Sequence, residues 1–136
     1  MKYNFPVELM PIVTEPGNYA IPNRRAVVRM DTKIPLGIVS TKYELLKHAD
    51  VVNGFRKALK GEEYEETIKL TKNGAQLYAT YSIPQHKVEV TKGDIISMQF
   101  IVKNSYDGTN ALQIMLGAFR LVCTNGMMIG KKLFSF

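Results

Sequence analysis

The strongest constraint on this chain is a pair of long apolar runs on either side of one turn. "IISMQFIV" at 95–102 and "LQIMLGAFRLVC" at 112–123 flank "KNSYDGTNA" at 103–111. Runs of this length, broken by Asp-Gly, read as two strands of a hairpin. A two-residue turn centred on Asp107-Gly108 sets Tyr106 opposite Thr109 and fixes the register of everything beyond. One face then carries Ile96, Met98, Phe100 and Val102, across from Phe119, Gly117, Met115 and Gln113. The other carries Ile95, Ser97, Gln99, Ile101 and Lys103, across from Arg120, Ala118, Leu116, Ile114 and Leu112. The first face reads as core and the second, mixed in character, as partly covered. Both strands are therefore expected near the middle of a sheet.

The rest of the chain supplies neighbours for that hairpin. "ETIKLTKNGAQLYATYSIP" at 66–84 reads as strand, Asn-Gly turn, strand. Leu77, Ala79, Tyr81 and Ile83 share one face of its second strand; Gln76, Tyr78, Thr80 and Ser82 share the other. "RRAVVRMD" at 24–31 alternates as a strand, with Ala26, Val28 and Met30 on one side and Arg25, Val27 and Arg29 on the other. "PLGIVSTKYELL" at 35–46 begins as another strand, with Gly37 marking a bulge or a close approach. Residues 47–60 form the best helix: Val51, Val52, Phe55 and Leu59 make one apolar stripe, and Gly61 stands at the C′ position. Gly54 inside that helix costs about 1 kcal/mol relative to alanine, which predicts close packing against a neighbour. Residues 1–23 hold Pro6, Pro11, Pro16 and Pro22 and read as an extended arm with at most short edge strands. The whole, 1–136, is expected to be a single α+β domain, an antiparallel sheet with one main helix on a face. The end, "GKKLFSF", either folds back as a strand or belongs to a longer natural chain.

The 136 residues carry a net charge of +6, which favours polyanionic partners without choosing among them. No run is long and apolar enough to span a bilayer, and the N-terminus lacks the pattern of a signal peptide. Cys123 is the only cysteine, so no internal disulfide forms, and a reducing cytoplasm is the expected compartment. His48 and His86 are the only histidines. They stand far apart and show no metal-ligand spacing. Cys123, in "FRLVCTNG", has the apolar setting of a structural thiol. The acids of "GEEYEE" read as a solvated loop. Neither Asn-Gly nor Asp-Gly sits in a nucleotide-binding spacing. The sequence thus predicts no enzyme, no metal and no cofactor.

Single-stranded nucleic acid is bound by basic grooves with aromatic platforms, and here several basic residues lie beside tyrosines. Arg25, Arg29, Lys42, Lys69, Lys103 and Arg120 are the candidate phosphate contacts. Tyr78 and Tyr106 are the candidate stacking rings. Each pairing alone is ordinary surface chemistry; only convergence on one face would make a site.

The stretch "NSYDGTNALQIMLGAFRLVCTNGM" at 104–127 resembles a family of phage- and plasmid-encoded proteins, domain of unknown function 932. The matching positions are Asn104, Ser105, Asp107, Gly108 and Thr109, then Arg120, Val122, Cys123, Asn125 and Gly126. "LGIVSTKYELLKHADVVNGF" resembles the family's segment leading into a helix. The position of Tyr106 departs from the usual pattern, and the N-terminal arm matches nothing in it. The resemblance implies a phage or plasmid setting, and a chain that continues past Phe136, because family members are usually longer. The expected function is sequence-tolerant binding of single-stranded DNA in replication or recombination. The alternative is a non-enzymatic assembly module that self-associates through the last hairpin and the tail.

Overall fold

The computed structural model describes residues 2–92, 94–109, 112–120 and 130–135, with backbone alone at 85–88, 90, 91, 94, 118–120 and 130–135. Two antiparallel sheets and one helix make an α+β architecture. The first sheet contains β1 (Val7–Val13), β2 (Ala20–Arg29) and β3 (Ile34–Ser40) in chain order. Helix α1 (His48–Ala58) follows. The second sheet contains β4 (Glu65–Thr71), β5 (Gln76–Thr91), β6 (Asp94–Ser105), β7 (Gln113–Arg120) and β8 (Gly130–Ser135), again in chain order. The C-terminal segment thus folds back as a strand against β7.

The helix begins on Lys47 without a side-chain cap and ends at Leu59, after which Gly61 takes a φ of 91°. Its apolar stripe lies on β5 and β6: Val51, Val52 and Leu59 are buried with Leu77, Ala79, Tyr81, Ile83 and Val102. Each such side chain contributes about 1.5–3 kcal/mol on leaving water. Phe55 stacks on Tyr81, ring centroids 5.0 Å apart. Arg56 clamps Glu66 of β4 through two hydrogen bonds of 2.9 and 2.6 Å. That pairing pushes the Arg56 pKa up and the Glu66 pKa down.

The proline-rich segment is more than an arm. Tyr3, Phe5 and Val7 are buried, and β1 is a full strand of the first sheet. Pro11 is accommodated because β1 is an edge strand, and the ladder shifts register between Pro11 and Val13. A second core cluster forms from Phe5, Val7, Val27, Val39 and Tyr106.

The last hairpin departs from the two-residue turn. The ladder pairs Lys103 with Gln113, Val102 with Ile114 and Phe100 with Leu116, one residue out of the expected register. The cause is that the chain leaves β6 after Ser105 to reach the other sheet. The Tyr106 N–H donates to the Ala75 carbonyl at 2.6 Å. Gly37 of β3, where β2–β3 pairing also shifts, abuts Asp107 so closely that an added Cβ would lie 2.8 Å from its carbonyl carbon and oxygen. The slip exchanges the two faces of β7, so Ile114 and Leu116, not Gln113 and Met115, pair with the core-facing residues of β6.

Candidate nucleic-acid interface

The outer face of the second sheet, opposite the helix, is built by alternation along β4, β5 and β6. The β4–β5 register places Lys69 opposite Tyr78, and the β5–β6 register places Tyr78 opposite Lys103. Directly opposed side chains on one face lie about 5 Å apart at Cβ, so the three make one row across three strands. The Tyr78 ring is 39% exposed. The Lys103 ammonium lies 5.6 Å from its centroid. A concavity of about 350 Å³ opens beside the row, lined by Lys69, Thr71, Gln76, Tyr78, Lys103 and Ser105. Four residues along β4 from Lys69, on the same face, stands the exposed Glu65, so an acid borders the basic row.

The margin of this surface is stiff. Gln76 donates from its amide to Asp107 at 3.0 Å, and Asp107 also accepts from the Thr109 N–H at 3.0 Å. Burial pushes the Asp107 carboxyl up, but the hydrogen bonds from Thr109 and Gln76 outweigh it, and its pKa lies below the ordinary value. The turn therefore stays anionic beside the concavity.

The other expected contacts are placed elsewhere. Arg29 is committed within the protein. Its guanidinium holds Asp31 at 2.7 and 3.2 Å, donates to the Asn73 carbonyl at 2.9 Å, and lies 3.9 Å from the Phe5 ring centroid. It faces inward because Val27, on the same side of β2, belongs to the core. Arg25 is half-buried on β2, its Nη1 donating to the Arg24 carbonyl. Lys42 is exposed beyond β3, on a different concavity with Tyr43 and Glu44. Arg120 pairs with Ile96 rather than Ile95, and its side chain lies outside what the structure describes. So do Cys123 and the side chain of His86.

Tyr106 cannot serve as a stacking platform for a base, being 1% exposed. Its ring stacks on His48 at 3.8 Å between centroids, and its hydroxyl accepts the His48 N–H at 2.5 Å. Burial pushes its pKa up to about 12. His48 itself is fully occupied: Nε2 donates to the Gly74 carbonyl at 2.9 Å and Nδ1 accepts from the Asn104 amide at 3.0 Å. The Asn104 amide also donates to the Leu46 carbonyl at 2.8 Å. Tyr43 closes the group, its hydroxyl donating to the Ser105 carbonyl at 2.8 Å. Among the described residues, no three His, Cys, Asp or Glu side chains converge as a metal site. No helix among them is long and apolar enough to cross a membrane.

Two participants escaped the sequence reading. Gln76 follows from the parity of β5 and was legible as a face-mate of Tyr78. Gln113, the partner of Lys103, was hidden by the register slip.

A family model for a domain of unknown function (DUF932) matches residues 35–135, well over half of the chain. The chain belongs to the DUF932 family. No curated protein and no solved structure matches it. The DUF932 match runs from β3 to β8 and takes in both the Lys69–Tyr78–Lys103 row and the joint formed by His48, Asn104 and Tyr106. It leaves out β1 and β2.

Proposed function

We propose that this DUF932 protein binds single-stranded DNA through the outer face of its second sheet, without sequence preference and without catalysis, in the replication or recombination of a phage or plasmid. The observation that carries the reading is the row Lys69–Tyr78–Lys103. An exposed ring between two ammonium groups offers a base one π-face and its flanking phosphates two cations. Stacking of this kind contributes about 1–3 kcal/mol per base and accepts any base. Each neutralised phosphate on a single strand adds about 0.7 to the salt slope.

The test is fluorescence anisotropy of a labelled mixed-sequence single strand at several salt concentrations, with an equal-length duplex as control. The single strand is expected to bind more tightly and to lose affinity steeply with salt. Tyr78→Ala should weaken binding about 5- to 150-fold. Lys69→Gln and Lys103→Gln should each flatten the salt slope by about 0.7. Absence of binding at low salt, or a Tyr78→Ala, Lys103→Gln double variant that binds as the parent does, overturns the reading. An assembly role is favoured by a separate observation, the exposed apolar side chains Val13, Tyr19 and Ile21 on the β1–β2 hairpin.

A further inference from the structure

The hairpin of β1 and β2 carries its far end, residues 13–24, fully into solvent. That end is nonetheless well held. The Thr14 N–H donates to the Tyr19 carbonyl at 2.9 Å and the Tyr19 N–H to the Thr14 hydroxyl at 3.1 Å. The Asn18 N–H donates to the Thr14 carbonyl at 3.0 Å. The Tyr19 ring lies across Gly17, where an added Cβ would sit 2.6 Å from the ring. A large ring, 73% exposed, thus projects from a braced turn. Behind it on β2 come Arg24 and Arg25. Their guanidinium groups bond only to strand carbonyls and meet no carboxylate among the described residues.

On the flank of α1 the chain has an apolar groove of about 270 Å³, lined by Leu46, Val51, Gly54, Phe55, Ala58 and Leu112. Asp50 supplies its one charge. The sequence predicted that Gly54 packs closely on a neighbour. Instead an added Cβ would meet nothing within 4 Å. A glycine in a helix interior costs about 1 kcal/mol, and nothing within the described chain accounts for it. The space it leaves is continuous with the groove.

We propose that Tyr19 of one copy seats in the Gly54 groove of a second copy. The ring and the groove are both apolar. The exposed Arg24 of the hairpin complements Asp50 on the groove, and no acid follows it on β2. A ring carried on a braced turn loses less backbone entropy on docking than one on a loose loop. Because hairpin and groove are different surfaces, the contact is head-to-tail: each copy offers one of each, and the assembly grows until it closes into a ring or continues as a filament. The inference does not depend on DNA binding.

The test is light scattering of the full chain, without DNA, across a range of protein concentrations. The parent should rise in mass with concentration beyond a dimer. Tyr19→Asp and Gly54→Leu, both at exposed positions, should each remain monomeric with thermal melts showing an intact fold. Tyr19→Asp keeps its groove and Gly54→Leu keeps its hairpin, so an equimolar mixture should form a dimer and stop there. A parent that stays monomeric, a variant that assembles like the parent, or a mixture that stays monomeric overturns the proposal.

Discussion

Acidification should loosen the joint between the two sheets, and His48 sets the pH at which it does so. The imidazole is buried, and burial pulls its pKa down to about 4, an effect that the hydrogen bond to the Gly74 carbonyl only partly offsets. In the unfolded chain the same ring titrates near 6.5. Between those values the unfolded state binds a proton that the folded state refuses, so stability falls as pH falls. The contribution is complete above the unfolded value and shrinks toward the folded one. From pH 7 to pH 4.5 the loss is about 2.5 kcal/mol, a large share of a typical stability of about 5–15 kcal/mol. The lowered carboxyl pKa values of Asp31, Glu66 and Asp107 act in the same direction, but their stability is lost only as pH falls below the ordinary carboxylate values of 3.8 and 4.5. Urea melts at closely spaced pH values would measure the effect. A His48→Gln variant would isolate the contribution of this ring. The parent should lose stability through this window while the variant, weaker at pH 7, stays nearly flat. Parallel profiles for the two proteins would refute the assignment.

Gly37→Ala should destabilise the fold by about 3 kcal/mol or more, because the new methyl meets the backbone of Asp107 rather than a side chain that could turn away; thermal melts would show it. Tyr106→Phe should cost about 1–3 kcal/mol in urea melts by leaving the buried His48 N–H without its acceptor, with DNA affinity unchanged while the protein is folded. Arg29→Gln should lower stability by about 1–2 kcal/mol through the loss of its contacts to Asp31, Asn73 and Phe5, and should leave the salt slope of DNA binding where it was.

Alternation was the legible part of this chain. The parity of β5 correctly separated Leu77, Ala79, Tyr81 and Ile83, all buried, from Tyr78 on the outer face. The stripe Val51, Val52, Phe55 and Leu59 found its helix for the same reason. Lys69 and Tyr78 could be paired from the Asn-Gly turn, although the loop that forms uses Lys72, Asn73 and Gly74, all at positive φ, rather than two residues. What periodicity could not show was a contact between distant segments. Tyr106 is pulled out of the hairpin by Ala75 and His48, and that displacement moved the register of β7 by one residue. Arg29 looked like a surface cation because alternation sets it on one strand face with Arg25. Its actual neighbours, Phe5 and Asn73, are remote in the chain. Four prolines suggested an extended arm with at most short edge strands, whereas β1 is a full strand that carries Pro11 at the edge of the sheet.

The joint also bears on what kinship can tell about a protein like this one. Asn104, Tyr106 and Asp107, from the stretch by which the family is recognised, are spent on holding His48, Ala75, Gly37 and Gln76 in place. The row Lys69–Tyr78–Lys103 stands outside both buried clusters. Inheritance of the motif therefore means inheritance of a scaffold. Under the proposed reading, two relatives can share this scaffold and still differ in what the outer face binds.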